Sequence, residues 1–117
     1  MIQFGVESFV LYSAPVDMRK GINTLAQVVV SELGRDPQCG EAFVFIGTRG
    51  DLLKILLWQK NGYWLCQHRL ERGRFRLPVV RRHDGRACAV SLSAWEWQNL
   101  IDGIIVKQVQ RLPRFSV

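Results

Sequence analysis

The chain has 117 residues, 48% hydrophobic and 22% charged, an ordinary globular composition at a length that one domain usually fills, so a single domain over 1–117 is expected. Sixteen Lys and Arg against ten Asp and Glu give a formal charge of +6, a balance that favours polyanionic partners such as nucleic acid. No apolar run approaches the roughly 18 residues of a membrane span, Glu7 interrupts the place of a signal-peptide core, and Cys39, Cys66 and Cys88 form no CxxC pair. The expectation is a cytoplasmic protein with no membrane contact, no disulfide framework, no metal and no cofactor; Cys66 and His68 stand two apart but lack a second ligand pair.

In chain order, SFVLY at 8–12 reads as a short strand ending before Pro15. Met18, Ile22, Leu25, Ala26, Val29 and Leu33 follow helical spacing, with Asp17 as the expected N-cap and Gly34 as the stop. AFVFI at 42–46 and LLKILLW at 52–58 are rich in strand formers, and GTRGD between them has the composition of a hairpin loop. YWLCQHRL at 63–70 follows Asn61-Gly62, the preferred centre of a two-residue type I′ turn. With that centre, Lys54 stands directly opposite Arg69. One hairpin face then carries Leu53, Ile55, Leu57, Trp64, Cys66, His68 and Leu70 toward the core, and the other is mixed. Two opposed cations repel, so Lys54→Met is expected to leave folding intact or slightly improved while weakening anion binding.

RFRLP after Gly73 reads as an extended piece, residues 81–86 as a polar loop and ACAVSL at 87–92 as a strand. Ser93-Ala94-Trp95-Glu96 then fits a capping box, with Leu92 and Trp97 as its hydrophobic staple, and opens a second helix with the stripe Trp97, Leu100, Ile101 and Ile104. A basic tail runs from Lys107 to Val117. The expected fold class is α+β: a small antiparallel β-sheet, a hairpin-rich meander, packed on one face by two helices.

Candidate chemistry concentrates in arginine. Arg69, Arg72, Arg74, Arg76, Arg81, Arg82 and Arg86 put seven positive charges into eighteen residues against Glu71 and Asp84, a local balance of +5. Arg72, Arg74 and Arg76 alternate with Gly73, Phe75 and Leu77 and can share one strand face as a row that tracks phosphates. The row is the favoured reading; the alternative is a solvated loop and edge strand that use charge against aggregation. Arg19 and Lys20 fall where the first helix should begin, with backbone N–H groups free to meet a phosphate. Trp95 lies off the apolar stripe of the second helix, either as a partner contact or tucked against a loop. No GxSxG, P-loop, HExxH or dinucleotide fingerprint is present; the acids are scattered, several in expected turns or caps (Asp17, Asp51, Glu96 and Asp102), and Asp51, Glu71 and Asp84 could in principle meet as in a two-metal nuclease.

The blocks PVDMRKGINTL, FVFIGTRGDLLKILLWQKNGYWLCQHRLERGRFRLP and LSAWEWQNLIDGI together resemble the second-reading-frame accessory proteins of insertion sequences of the IS sixty-six family, a TnpB type distinct from the RNA-guided nuclease of that label. The resemblance runs from about Leu11 to Ile104. The residues that carry it are Asp17, Met18, Arg19, Lys20 and Gly21; Arg49, Gly50, Asp51 and Lys54; Trp58, Asn61 and Gly62; and Arg69, Leu70, Glu71, Gly73, Arg74, Phe75 and Pro78. Val16 and Leu77 depart from it, standing where Thr and Trp are common. It implies an auxiliary factor of transposition, encoded beside a separate transposase that carries the acidic catalytic residues; joined to the arginine-rich face and the missing catalytic motifs, it gives the expectation of a non-catalytic factor that binds DNA at the insertion-sequence ends, with a homo-oligomer compatible. The expected DNA-binding residues are Arg19, Lys20, Arg49, Lys54, Arg69, Arg72, Arg74, Arg76, Arg81 and Arg82, and Trp58 and Trp95 are the expected partner-binding residues. The alternative is an adaptor that docks onto the transposase without touching DNA.

Overall fold

The computed structural model describes residues 5–6, 8–77 and 85–103. Strand β1 (Phe9–Tyr12) leads through helix α1 (Ile22–Leu33) to β2 (Ala42–Ile46); the hairpin β3 (Leu52–Gln59) and β4 (Gly62–Arg69) follows, then β5 (Ala89–Leu92) and helix α2 (Ala94–Asp102). The five strands form one sheet in the order β4-β3-β2-β1-β5. All neighbours are antiparallel except β1 and β2, which run parallel with Val10 beside Phe43. The α+β class is as expected, but the sheet is mixed. The parallel pair arises because a helix-bearing crossover, not a hairpin, joins β1 to β2.

Strand alternation sends Val10, Tyr12, Phe43, Phe45 and Leu56 to one face, where they pack with Leu25 and Val29 of α1. The opposite face carries Leu11, Val44, Ile46, Leu53, Ile55 and Leu57, packed with Trp97 and Leu100 of α2 and with Phe75. The helices therefore cover opposite faces, which corrects the expectation that both lie on one. The cause is legible in β2: AFVFI has no polar position and is buried at every residue, as a strand covered on both sides must be. The mixed hairpin face, read from the sequence as the one turned away from the core, is where α1 sits.

Helix α2 begins as predicted. The Ser93 hydroxyl accepts from the Glu96 N–H at 3.1 Å and the Glu96 carboxylate accepts from the Ser93 N–H at 2.8 Å, while Leu92 and Trp97 share one apolar cluster. The Trp97 ring stacks on Phe9 with centroids 4.3 Å apart. Helix α1 ends at Gly34 (φ 63), where Arg35 N–H closes the end onto the Val29 carbonyl at 3.1 Å. Its start differs from expectation. Asp17 does not cap it; the N-cap is Gly21, which has no side chain to offer. Asp17 instead turns the chain, accepting from the Arg19 N–H at 2.9 Å, and the Lys20 N–H donates to the Asp17 carbonyl at 3.1 Å. The Met18 and Lys20 carbonyls, which a helix starting at Met18 would use, accept instead from a buried ammonium described below.

The hairpin turn is centred on Lys60 (φ 52) and Asn61 (φ 61), with Gln59 opposite Gly62. The expected Asn61-Gly62 centre is thus displaced by one residue. Placing a lysine in the left-handed region costs about 1 kcal/mol. In return Trp58 stands opposite Tyr63 in an edge-to-face contact, centroids 4.9 Å apart, and Leu52 gains Arg69 as its partner at the far end. Because moving the turn centre by one residue shifts the register by two, each side chain keeps its face, but Lys54 now faces Gln67 and the predicted Lys54–Arg69 opposition is absent.

Tyr12 ties β1 to α1, its hydroxyl donating to the Glu32 carboxylate. Burial, and then the hydrogen bond and charge of Glu32, push its phenol up to about 12 from 10.0. A raised pKa means that the protonated phenol is the form the fold favours. Its contribution is complete below pH 10 and is lost as pH rises toward 12. Urea unfolding followed across pH 9 to 12 should show a steeper loss of stability in the wild type than in Tyr12→Phe; parallel curves would mean that the phenol is not held this way.

Candidate nucleic-acid interface

Three segments meet at the end of the sheet where β1, β2 and β4 finish and β3 begins. Residues 16–20 are joined to the β2–β3 loop by a bridge between Val16 and Gly47 and by Val16 N–H donating to the Ile46 carbonyl at 2.9 Å. The loop itself is closed by Gly47 N–H to Leu52 O (2.9 Å) and Gly50 N–H to Gly47 O (3.0 Å). The chain leaving β4 returns to it: Leu70 N–H donates to Asp51 O at 2.8 Å, and Phe75 N–H to Gly50 O at 2.7 Å. Phe75 is buried, which anchors the return. Two glycines make these approaches feasible. Gly50 has φ 83, and a Cβ on Gly47 would lie 2.4 Å from Met18 Cγ.

Most of the expected basic residues project from this frame. Arg49, Arg69, Arg72 and Arg74 are exposed and Lys20 is half-buried. Arg74 Nη1 donates to the Arg49 carbonyl at 2.7 Å, tying two of the three segments together. Ion pairs among the described residues are Arg19–Asp17 and Arg35–Glu41, so none neutralises these arginines. Arg19 differs: its guanidinium grips the Asp17 carboxylate through Nε and Nη2, and those bonds hold the Asp17 carboxyl far below the usual carboxylate range. Between the loop and the end of β4 lies a cavity of about 230 Å³, lined by Met18, Gly47, Thr48, Arg49, Asp51, Leu52 and Arg69.

The remaining expected residues fall elsewhere. Residues 70–77 form no continuous strand, Gly73 turning at φ 82, so the arginine row is broken. The alternation survives, with Phe75 inward and its arginine neighbours outward, but Arg76 lines a separate groove beside α2. Lys54 points inward: it is 8% exposed and its Nζ donates to the Met18 carbonyl at 2.6 Å and the Lys20 carbonyl at 3.0 Å. Arg81 and Arg82, with Pro78, Asp84 and the tail from 104, lie outside the described residues. Trp58 stands at the opposite, turn end of the sheet on the α1 side, whereas Trp95, 76% exposed, projects from α2 beside a groove of about 480 Å³. The two tryptophans do not form one patch.

Sequence reasoning missed Met18, Gly47 and Thr48 as walls of the cavity, since their contacts depend on the parallel crossover. The signal for Lys54 was available: a lone charge inside LLKILLW is a charge that burial forces to find partners. Among the described residues no three His, Cys, Asp or Glu gather as metal ligands, and no helix is long and apolar enough to cross a membrane. Burial pushes the Cys66 thiol up, as befits a residue packed against the α2-side core.

Geometry thus defines a small α+β protein with a pinned, basic end to a two-sided sheet. The chain belongs to the family described as IS66 Orf2 like protein, whose profile matches residues 7–111, and this associates it with the transposition of IS66-type insertion sequences. Similar proteins include "Uncharacterized protein y4jC" of Sinorhizobium fredii, 39% identical over 99 residues, covering 85% of this chain and 80% of that protein. A second from the same organism, "Uncharacterized protein y4hO", is 38% identical over 90 residues, covering 71% of this chain and 76% of that protein. No solved structure matches the chain.

Proposed function

We propose that this protein acts in the bacterial cytoplasm as a one-domain, non-catalytic accessory factor of transposition, gripping the DNA backbone at insertion-sequence ends beside a separate transposase. The observation that carries this reading is the convergence of Lys20, Arg49, Arg69, Arg72 and Arg74 on three hydrogen-bonded segments at one sheet end, with no ion pair to any described acid. Arginine forks on a rigid frame suit phosphate oxygens, whose contacts position a protein on DNA without reading its sequence. Family membership supports the setting. Lys54 drops out of the contact set, and Arg19, already bound to Asp17, contributes less than its exposure suggests.

Five phosphate contacts imply that log affinity for duplex DNA falls with log salt at a slope of about −4.5. Fluorescence anisotropy with labelled terminal-repeat duplex, titrated at several salt concentrations, measures this. Absent or salt-independent binding would defeat the reading. The protein alone should not cleave that DNA with magnesium or manganese. The adaptor alternative rests on Trp95, a large exposed aromatic beside a groove lined by Leu92 and Leu100. It requires that Trp95→Ala abolish co-purification with the transposase while DNA is absent.

A further inference from the structure

We propose that the cavity between the β2–β3 loop and the end of β4 is a seat for a single phosphodiester group of the DNA backbone, with Arg49 and Arg69 as its two forks. This deepens the interface reading and rests on it. Arg49 and Arg69 come from segments twenty residues apart, line the same space of about 230 Å³, and pair with no described acid. Thr48 lines the same wall. Two arginines meeting from different segments can each offer parallel N–H groups to one tetrahedral anion, which lysines in their place cannot do.

The seat is built before any guest arrives. Gly47 and Gly50 are fixed by backbone hydrogen bonds, Arg74 holds the Arg49 carbonyl, and Met18 fills the space that a side chain at Gly47 would take. Holding the loop backbone in place in advance leaves only the side-chain torsions of Arg49 and Arg69 to be ordered on binding. Asp51 on the wall decides between guests. Its carboxylate forms no ion pair with either arginine, so the lining carries one net positive charge, which a monoanion neutralises and a dianion exceeds at a desolvation cost that grows with the square of its charge. A diester, singly charged, is the better fit than a free phosphate or a terminal monoester.

The test preserves charge and removes the fork. Arg49→Lys and Arg69→Lys are each expected to weaken binding of a short duplex by about tenfold, and Arg72→Lys, outside the cavity, by no more than about twofold. Asp51→Asn should tighten it. Amide NMR of the wild type should show the duplex shifting Gly47 to Asp51 and Arg69, and dimethyl phosphate shifting the same amides at lower concentration than inorganic phosphate. Equal binding by all three lysine variants, or unshifted amides in this segment, would overturn the seat and leave the broader interface standing. A wild type that binds no duplex would overturn both. The amide spectra also report whether each variant is folded, and the wild-type shifts stand even where a variant is not.

Discussion

Lys54→Met is expected to destabilise the protein by about 3 kcal/mol, a large share of the roughly 5–15 kcal/mol that holds a domain of this size together. The ammonium lies buried between α1 and the sheet and is the donor to two carbonyls, Met18 and Lys20, in a segment that has left the regular ladder and has not yet entered the helix. A methionine fills similar volume, so packing is nearly conserved and the loss isolates the two charge-assisted hydrogen bonds. It also frees the 17–20 segment from the sheet end, so DNA binding should weaken as a secondary effect. Urea denaturation measures the first effect. A stable or stabilised variant would mean that the carbonyls find other donors and that the lysine does not organise this segment. The sequence predicted the opposite sign, because it placed Lys54 against Arg69 and saw only repulsion.

Joint replacement of Arg49, Arg69 and Arg72 by Gln is expected to weaken duplex binding by roughly a hundredfold or more at 0.1 M salt, each lost phosphate contact forfeiting about one released counterion. Stability should barely change, since all three side chains are exposed and none makes an ion pair among the described residues. Arg74 is left in place because its bond to the Arg49 carbonyl is structural. Replacement of Arg35 and Lys60 by Gln, distant from the sheet end, serves as the charge control, compared per charge removed. If the control weakens binding as much as the triple variant, net charge and not this surface attracts the DNA.

The strands, both helices and the capping box were legible because each is signalled locally: β-branched and aromatic runs, 3.6-residue periodicity, a Ser and a Glu three apart. The register and the layering were not. A one-residue displacement of a type I′ turn depends on whether Trp58 and Tyr63 gain more from meeting than Lys60 loses in the left-handed region, a balance no local pattern expresses. Burial of β3 on both faces depends on which side α1 crosses, and with it the inward turn of Lys54. The basic residues of the site could be named from the sequence as a group. Their assembly could not, because residues 16–20, 47–51 and 69–75 meet only through the parallel crossover and the return of the chain onto Gly50 and Asp51. Arg76 shows the converse, adjacent in sequence to the cluster but facing α2.

The central claim, that this sheet end is the surface that meets DNA, is tested most directly by comparing the salt dependence of duplex binding in the wild type and in the Arg49, Arg69 and Arg72 triple variant. At about 0.9 per phosphate contact, the log–log slope should change from about −4.5 to about −1.8. A slope that stays the same in the variant would contradict the account and place the DNA contacts on another part of the molecule.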